Sequence, residues 1–237
     1  MIFYRPLKSF KAISFDLDDT LYDNHLVMGK AEANFIIYLN KTYAKLAELT
    51  PDQWGLYKIL LSNEYPQLIH DVSLWRIEIL KRIMIIYGIS EYKAIEYAQD
   101  AFKVFLRLRS DFIVPAGNIK LLEDLAKHYP VIAITNGNVN ARSINIADKF
   151  TFILMAGQGF KAKPAPDLFV EAAKRLKIDV REILHIGDDL LTDVYGSQQC
   201  GAQSIWFNQH NTPLDKAKLL PCIEIQQLNH LYSLLTN

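Results

Sequence analysis

The sequence is poor in cysteine and has no excess of charge of either sign. Its two cysteines, Cys200 and Cys222, do not form a CxxC metal-binding pair and are too few for a disulfide-stabilised scaffold. The 26 lysine and arginine residues balance the 26 aspartate and glutamate residues, which argues against a general nucleic-acid or membrane-surface binder. A net charge of zero is still compatible with a single local site for a small anionic ligand.

Long apolar runs are also missing. No segment approaches the roughly 20 apolar residues that a membrane-spanning helix needs. The N-terminal segment contains Arg5, Pro6 and Lys8 and has no apolar stretch followed by a small-residue cleavage site, so we expect no signal peptide. These absences predict a cytoplasmic protein with free thiols. Half of the residues are hydrophobic, which allows a sizeable core without disulfides.

What the sequence does contain is an alternation of short apolar runs and amphipathic segments. Residues 11–15 form an apolar run that ends in acids, which is typical of a buried parallel strand. The predicted later strands are 131–134, 152–155, 183–186, 203–207 and 223–225, and the predicted helices between them are 119–127, 139–147, 166–176 and 190–200. This alternation predicts an α/β fold with a doubly wound, Rossmann-like parallel sheet.

Between about residues 25 and 110 the pattern is purely helical. Glycine is scarce, and apolar residues such as Ile77, Leu80 and Met84 recur at helical spacing. Thr50 followed by Pro51 predicts the start of one of these helices. We therefore predict a catalytic core of residues 1–21 and 112–237 that is interrupted by an α-helical cap domain of residues 22–111.

Polar side chains follow the predicted strands at the edge where doubly wound folds bind ligands. In chain order they are Asp16, Asp18, Asp19, Thr135, Asn136, Lys163, Asp188, Asp189 and Asp193. Clustered carboxylates raise each other's pKa, and Mg²⁺, which prefers oxygen ligands and leaves room for phosphate oxygens, removes that conflict. Any one of these acids could be a solvated loop residue or a helix cap. Together they predict a magnesium–phosphate site.

The motifs formed by these residues resemble the four motifs of the haloacid dehalogenase (HAD) superfamily of phosphatases. They are residues 15–21, residues 134–137, Lys163-Pro164 with Asp167, and residues 187–189 with Asp193. Their order matches that of the superfamily, and together they span almost the whole predicted core. The helical insertion between the first and second motifs resembles the first type of cap domain in that superfamily.

The resemblance implies a covalent mechanism. Asp16 would be the nucleophile that forms an aspartyl-phosphate, and Asp18 would protonate the leaving group and later deprotonate water. Thr135 and the backbone N–H groups around Asn136 would hold phosphoryl oxygens near a helix N-terminus. Lys163 would offset the charge that develops on the phosphoryl group.

The resemblance also implies a Mg²⁺ site. The ligands would be the Asp16 carboxylate, the backbone carbonyl of Asp18 and the Asp188 carboxylate. Asp189 and Asp193 would lie behind them and orient the lysine or metal-bound waters.

Residues 3–7, 20–24, 70–72 and 75–76 further resemble a subgroup of bacterial phosphatases of this superfamily. These act on flavin mononucleotide (FMN) and on 5-amino-6-(5-phospho-D-ribitylamino)uracil in riboflavin biosynthesis. The resemblance implies a small phosphomonoester substrate whose ring is recognised by the cap. The strongest candidates for ring contact are His70, Trp75 and Arg76, although such side chains can equally be core or solvated surface. The other candidates are Tyr22, Trp54, Arg107 and Arg109.

Other functions stay open at this point. A HAD phosphatase or phosphomutase acting on sugar phosphates or nucleotides would keep the same motifs. A haloacid dehalogenase attacks carbon and needs neither a metal nor the acid at Asp18. A non-enzymatic, receiver-like signalling module would carry its phosphate-accepting acid after the third strand, where residues 156–157 are Ala-Gly. We expect a monomer or a weak homodimer.

Overall fold

The computed structural model describes residues 1–157 and 159–235. Its internal contacts divide the chain into two compact units. The first unit comprises Met1–Asp23, Ile113–Gly137 and Ile144–Asn237, and the second comprises Asn24–Phe112 and Asn138–Ser143. The expectation that residues 22–111 form an inserted cap domain stays a prediction.

Among the described residues, seven strands form one sheet in the first unit. In chain order they are β1 Ile2–Phe3, β2 Ala12–Phe15, β3 Val131–Thr135, β4 Ile153–Met155, β5 Ile183–Gly187, β6 Gln203–Phe207 and β7 Ile223–Ile225. Their spatial order is β1-β7-β6-β5-β2-β3-β4, and the pairs from β7 to β4 are parallel. This confirms the predicted α/β fold class, and each predicted strand is present within one or two residues of its predicted bounds.

One edge strand departs from the parallel pattern. β1 is antiparallel to β7, with Ile2 opposite Glu224, and the hydroxyl of Tyr4 donates to the Glu224 carboxylate at 2.6 Å. The two residues of β1 are exposed, so the sequence has no buried alternation there to indicate a strand. Its position is set by pairing with a distant segment.

The α-helices are distributed over both units. In chain order they are α1 Asn24–Thr42, α2 Pro51–Glu64, α3 Val72–Ile86, α4 Glu91–Arg109, α5 Ala116–Leu125, α6 Asp167–Leu176 and α7 Gly196–Gln199. A π-helical turn, Leu190–Tyr195, runs directly into α7. Short 3-10 helices cover Ala44–Leu46, Pro66–His70, Ala147–Lys149, Val180–Glu182, Leu214–Lys216 and Leu228–Leu235. None of the described helices is long and apolar enough to cross a membrane.

The core of the first unit fixes the sheet against its helices. β2, β3 and β5 are buried at every residue. Leu168 and Phe169 on one face of α6 pack with Ile132, Ile134 and Leu154 of the sheet. This packing places α6, which starts four residues after Lys163, against the sheet.

The second unit is a helical bundle with an aromatic core. Trp54 and Phe105 each make an edge-on contact with the Phe35 ring, at centroid distances of 5.8 and 5.3 Å. The predicted start of α2 is confirmed: Thr50 accepts from the Gln53 N–H and the Gln53 side chain accepts from the Thr50 N–H, forming a capping box. Trp54 is 1% exposed and belongs to this core.

The helix predicted at residues 139–147 is wrong. This stretch consists of turns and then the short Ala147–Lys149 helix. The Asn140 side chain accepts hydrogen bonds from the N–H groups of Arg142 and Ser143, and Asn145 adopts a left-handed conformation with φ of 58°. Asparagine side chains that bond to nearby backbone compete with helix formation, which explains the difference.

Candidate active site

The carboxyl ends of three neighbouring strands bring predicted catalytic residues to one edge of the sheet. β2 lies between β3 and β5, and its last residue, Phe15, is paired with both neighbours. Asp16 follows directly, and its N–H donates to the Ile186 carbonyl at 2.8 Å. Because the three strands are parallel, Thr135 and Asp188 reach the same edge as Asp16.

Lys163 joins two of the aspartates in the interior of the first unit. Lys163 is 3% exposed. Its ammonium group donates to Asp16 Oδ1 at 2.8 Å and to Asp193 Oδ1 at 2.6 Å. The third donor position is used by the Ile134 carbonyl, also at 2.8 Å. All three ammonium protons are therefore directed to acceptors, which fixes the charge beside Asp16.

Asn136 holds the backbone of this lysine. Its side-chain carbonyl accepts from the Lys163 N–H, and its side-chain amide donates to the Lys163 carbonyl, each at 2.8 Å. The peptide bond between Lys163 and Pro164 is cis. The structure thus gives Asn136 a positioning contact with Lys163 in addition to its predicted place in the phosphate loop.

The electrostatics of the lysine and Asp193 favour a charged pair. Burial by itself would lower the pKa of Lys163, but the carboxylates of Asp16 and Asp193 outweigh burial and raise it. Burial would raise the pKa of Asp193, but the charge of Lys163 and the hydrogen bond from His185 hold it below its ordinary value. Asp193 is therefore ionised at neutral pH.

The pKa values of two other carboxyl groups, those of Asp16 and Asp188, are raised. Burial raises the pKa of Asp16 to about 7, with the neighbouring aspartates adding to burial and Lys163 opposing it. Burial and the negative charges of Asp193 and Asp16 raise the pKa of Asp188 to about 8. A site that holds these carboxyl groups together therefore needs further positive charge to ionise both of them.

The same acids have the arrangement of a cation site. Carboxylate oxygens of Asp16, Asp188 and Asp193 all lie within 4.8 Å of one another. Asp188 is also held from the protein side, because Trp206 Nε1 donates to its backbone carbonyl at 2.7 Å and Thr20 Oγ1 to its carboxylate at 3.3 Å. Gly187 is required next to it, because a Cβ there would overlap the Asp193 carboxyl group.

Asp18 has a partner that the motif alone did not predict. The Tyr22 hydroxyl donates to Asp18 Oδ1 at 2.6 Å. The turn that brings them together includes Asp19 with φ of 55° and a hydrogen bond from the Leu21 N–H to the Leu17 carbonyl. Tyr22 is one of the residues predicted to contact the substrate ring, whereas its hydroxyl contacts the predicted acid/base residue.

The predicted phosphate loop follows β3. Thr135 is fully buried, and its Oγ1 accepts from the Gly137 N–H at 3.0 Å. Since the segment after this loop is not helical, the predicted contribution of a helix N-terminus to phosphate binding is wrong. Local backbone N–H groups are the donors that the loop can offer.

The second acid of the fourth motif has a local contact. Asp189 Oδ1 accepts from the N–H groups of Leu191 and Thr192, at 2.8 and 2.7 Å, at the start of the π-helical turn. Its own N–H donates to Asp193 Oδ2 at 3.0 Å. Asp189 therefore starts the turn that presents Asp193, and π-helical turns of this kind are frequent at functional sites.

The candidates for ring contact lie in the second unit in different environments. His70 ends a 3-10 helix and is half-buried. Trp75 is half-buried, donates to Ser62 Oγ at 3.0 Å and lines a cavity of 550 Å³ together with other apolar side chains. Arg76 is 4% exposed, and its guanidinium lies over the Phe105 ring at 3.7 Å.

A family model and curated proteins resemble this chain. The model of the haloacid dehalogenase-like hydrolases matches residues 10–201. The chain is 36% identical over 238 residues to the 5-amino-6-(5-phospho-D-ribitylamino)uracil phosphatase YigB of Escherichia coli, covering 99% of this chain and 100% of that protein. It is 26% identical over 212 residues to a glyceraldehyde 3-phosphate phosphatase of Pyrococcus abyssi, covering 83% of this chain and 81% of that protein.

Solved structures show the same fold. The crystal structure of a 2-haloacid dehalogenase from Pseudomonas syringae matches with a TM-score of 0.87 and 33% sequence identity. The match covers 96% of this chain and 98% of that one.

Proposed function

The chain belongs to the haloacid dehalogenase-like hydrolases and is a phosphoric monoester hydrolase, and we propose that it acts through an aspartyl-phosphate formed on Asp16. The observation that carries this proposal is the buried contact of Lys163 with Asp16 at 2.8 Å. A fixed ammonium group beside the carboxylate favours its ionised, nucleophilic form and offsets the charge of an approaching phosphoryl group.

Two chemical steps follow from the arrangement. Asp16 Oδ attacks phosphorus, the bond to the leaving oxygen breaks, and Asp18 donates its proton to that oxygen. In the second step Asp18 takes a proton from water as the water oxygen attacks phosphorus, the bond between phosphorus and Asp16 Oδ breaks, and inorganic phosphate and the free Asp16 carboxylate result. The hydrogen bond from Tyr22 holds the Asp18 carboxylate through both steps.

The remaining polar groups bind the phosphoryl group. Thr135 is the last residue of β3, and the N–H groups around Asn136 follow it at the same sheet edge as Asp16. Asn136 also fixes the lysine loop through its two hydrogen bonds to Lys163. We assign Thr135, Asn136 and Lys163 to phosphate binding.

The residues present fit a magnesium ion. Asp16 is buried and Asp188 is half-buried. Their pKa values are raised to about 7 and about 8, so a dication would relieve the repulsion between the two carboxylates. Both carboxylates and the backbone carbonyl of Asp18 would hold Mg²⁺. Asp193 already accepts from Lys163 and His185 and is assigned to the lysine instead. When bound, Mg²⁺ would neutralise charge on the transferring phosphoryl group.

The resemblance to a 2-haloacid dehalogenase does not change the proposed reaction. A dehalogenase needs no carboxylate to protonate an alkoxide, whereas this chain has Asp18 two residues after the nucleophile, with its own hydrogen-bond donor. It also has Asp188 in a cluster suited to a cation. Both features serve cleavage of a phosphoester.

We propose FMN, 5-amino-6-(5-phospho-D-ribitylamino)uracil or both as the substrates. The support is the 36% identity over 99% of this chain to the Escherichia coli phosphatase named for the second compound. In the second unit, Trp75 lines a cavity of 550 Å³ with Tyr65, Leu68 and Val72. Its size and apolar, aromatic walls suit a planar ring system.

Hydrolysis of p-nitrophenyl phosphate tests the reaction. We expect turnover that requires Mg²⁺ and is abolished by EDTA, and a loss of about 10⁴-fold or more in kcat for Asp16→Asn. Asp148→Asn, which neutralises an exposed acid of the same unit, is the control and should retain activity. Full activity without a divalent metal, or in Asp16→Asn, would contradict the mechanism.

A substrate panel tests the second proposal. We expect kcat/KM for FMN or the ribitylaminouracil phosphate to exceed that for glyceraldehyde 3-phosphate, other sugar phosphates and nucleoside monophosphates. Trp75→Leu should raise KM for FMN more than KM for p-nitrophenyl phosphate. A sugar phosphate preferred by about tenfold, equivalent to about 1.4 kcal/mol in transition-state binding, would overturn the assignment.

Further expectations from the sequence stay predictions. They are the cap-domain bounds of 22–111, the monomeric or weakly dimeric state and the cytoplasmic location. Size-exclusion chromatography with light scattering measures the oligomeric state directly.

A further inference from the structure

His185 is a buried titratable residue that the proposed reaction does not use. It lies in β5, two residues before Gly187, and is fully buried. From its sequence context, an apolar run, this histidine is predicted to be a core residue. In the structure both of its ring nitrogens have polar partners, which indicates a function beyond packing.

The two partners connect the strand interior with the catalytic edge. His185 Nδ1 lies 2.8 Å from Ser14 Oγ, and its Nε2 lies 3.1 Å from Asp193 Oδ1. Ser14 and His185 are paired in the register of β2 and β5. Because side chains alternate along a strand, Ser14 lies on the same side of β2 as Asp16, two residues further on.

The chemistry of these groups determines the tautomer. Burial lowers the pKa of His185, so the ring is neutral and carries one N–H. The Asp193 carboxylate is ionised and can only accept. Nε2 therefore donates to Asp193, and Nδ1 accepts from the Ser14 hydroxyl.

We propose that His185, oriented by Ser14, is a positioning residue that aligns Asp193 so that Lys163 stays directed at Asp16. This inference rests on the proposed reaction at Asp16. Asp193 Oδ1 accepts from both Lys163 Nζ and His185 Nε2, and its Oδ2 accepts from the Asp189 N–H. Donors on both oxygens fix the plane of the carboxylate. Among the described residues, Lys163 and His185 are the two side chains that donate to it.

Without the ring donor, Asp193 would keep only the hydrogen bonds from Lys163 and from the Asp189 N–H, so its carboxylate would be held less firmly. Lys163 would follow it, because its contact with Asp193 is as short as 2.6 Å. The ammonium group would then be less well directed at Asp16, which matters as charge develops on the phosphoryl group. The effect should appear in kcat, whereas ground-state binding of substrate should change little.

A pair of substitutions separates this function from simple packing. His185→Gln places an amide nitrogen near the position of Nε2, so it can still donate to Asp193. His185→Asn carries its amide one bond shorter, near the position of Nδ1, and cannot reach Asp193. We expect kcat for p-nitrophenyl phosphate to fall about tenfold or more in His185→Asn with KM little changed, and to be largely retained in His185→Gln.

The packing control is Phe169→Leu. The Phe169 ring meets the His185 ring edge-on at a centroid distance of 5.0 Å without a hydrogen bond between them. This variant should lower the thermal unfolding temperature but leave kcat per folded molecule close to that of the unmodified protein. Equal kcat values in His185→Gln and His185→Asn, whether high or low, would overturn the positioning function.

Nitrogen NMR of the unmodified protein gives a second test that depends on no substitution. With ¹⁵N-labelled histidine we expect the His185 signals of a neutral ring protonated at Nε2. A ring protonated at Nδ1 would overturn the inference, because Asp193 would then receive no proton from it. If the unmodified protein fails to hydrolyse phosphomonoesters with Mg²⁺, the proposed function fails; if it is active but the Gln and Asn variants are alike, only the positioning inference fails.

Discussion

The two units of the chain bury charged side chains in different ways. In the first unit, buried Lys163 contacts two carboxylates and a carbonyl within 2.8 Å. In the second unit, buried Arg76 lies over the Phe105 ring and reaches Glu32 at 3.4 Å, and burial lowers its pKa to about 10. One charge is surrounded by acids, and the other is packed in an aromatic core.

This difference indicates where a substitution can change the chemistry of the site without changing the packing of the core. Side chains at the sheet edge can be changed to isosteric variants that alter charge or donors with little change in volume. In the helical unit, an inward-facing substitution first removes packing, because Phe35, Trp54 and Phe105 form one contiguous cluster. We therefore expect substitutions of the polar residues at the sheet edge to change kcat, and substitutions in the core of the second unit to change stability with little change in kcat.

Of the substitutions that compare the two units, loss of Lys163 gives the largest expected effect. Lys163→Met should lower kcat about 10³-fold, because the charge beside Asp16 is removed. It should also destabilise the protein by about 3–5 kcal/mol, because Asp16 and Asp193 stay buried without their cation. Steady-state kinetics and urea unfolding measure the two effects.

Lys163→Arg is the matched control for this prediction. It keeps the positive charge but cannot reproduce three short contacts from one nitrogen. We expect it to recover much of the lost stability and little of the kcat. Recovery of both would show that charge alone, without the geometry, is sufficient.

Truncation in the helical core should lower stability without lowering kcat. Trp54 is 1% exposed, so Trp54→Ala should cost about 3–5 kcal/mol in the free energy of unfolding. The kcat per folded molecule should change by no more than about twofold, because Trp54 belongs to the apolar core of the second unit and is assigned no part in the reaction. Trp54→Phe, which keeps a ring, should cost less. A kcat loss in Trp54→Ala as large as that in Lys163→Met would remove the contrast between the units.

The raised pKa values of Asp16 and Asp188 predict how pH affects stability. Both values, about 7 and about 8, exceed the roughly 3.9 of an unfolded aspartate, so the folded state binds more protons between these limits. The contribution of these two groups to the free energy of unfolding of the metal-free protein therefore falls as pH rises from about 4 to about 8.

Bound Mg²⁺ should reverse this trend. A dication competes with the protons, so Mg²⁺ should raise the unfolding temperature more at about pH 8 than at about pH 5.5. Thermal unfolding with MgCl₂ and with EDTA measures the difference at each pH. Asp188→Asn should make the Mg²⁺ effect depend less on pH. An Mg²⁺ effect that is equal at both pH values in the unmodified protein would contradict the assigned ligands.

The smallest effect is expected for the hydroxyl of Tyr22. Tyr22→Phe keeps the ring and removes the donor to Asp18, so kcat should fall about threefold to tenfold. The loss should be larger for alkyl phosphates than for p-nitrophenyl phosphate, because only a poor leaving group needs the proton from Asp18. An equal loss for both substrates would indicate that the hydroxyl serves the structure and not proton transfer.

The parts of the fold that could be predicted from sequence are those with strong local patterns. The buried strands and the start of α2 at Thr50 and Pro51 follow from apolar runs and capping residues. The helix predicted at 139–147 failed because asparagine side chains bond to the backbone in that stretch. β1 was missed because its pairing with β7 involves residues more than 200 positions away.

For the candidate site, sequence indicated which residues meet but not how they are connected. The approach of Asp16, Lys163 and Asp188 follows from the strand order and from motifs that resemble a known family. The Asn136 clamp and the Tyr22 contact depend on turns whose geometry no spacing rule specifies. Ser14 and His185 did leave a signal, because each is a polar residue inside a buried apolar strand.

The sequence by itself determined the fold class and the set of acids, hydroxyl and lysine at the ends of the strands. Short apolar runs that alternate with amphipathic segments suffice for this, since both follow from the order of residues along the chain. Only the tertiary structure decided which atoms contact one another: Lys163 with two carboxylates, Tyr22 with Asp18, and His185 with Asp193. Such contacts join residues up to 147 positions apart, and their energies depend on burial and on distances of a few ångströms that local sequence does not specify.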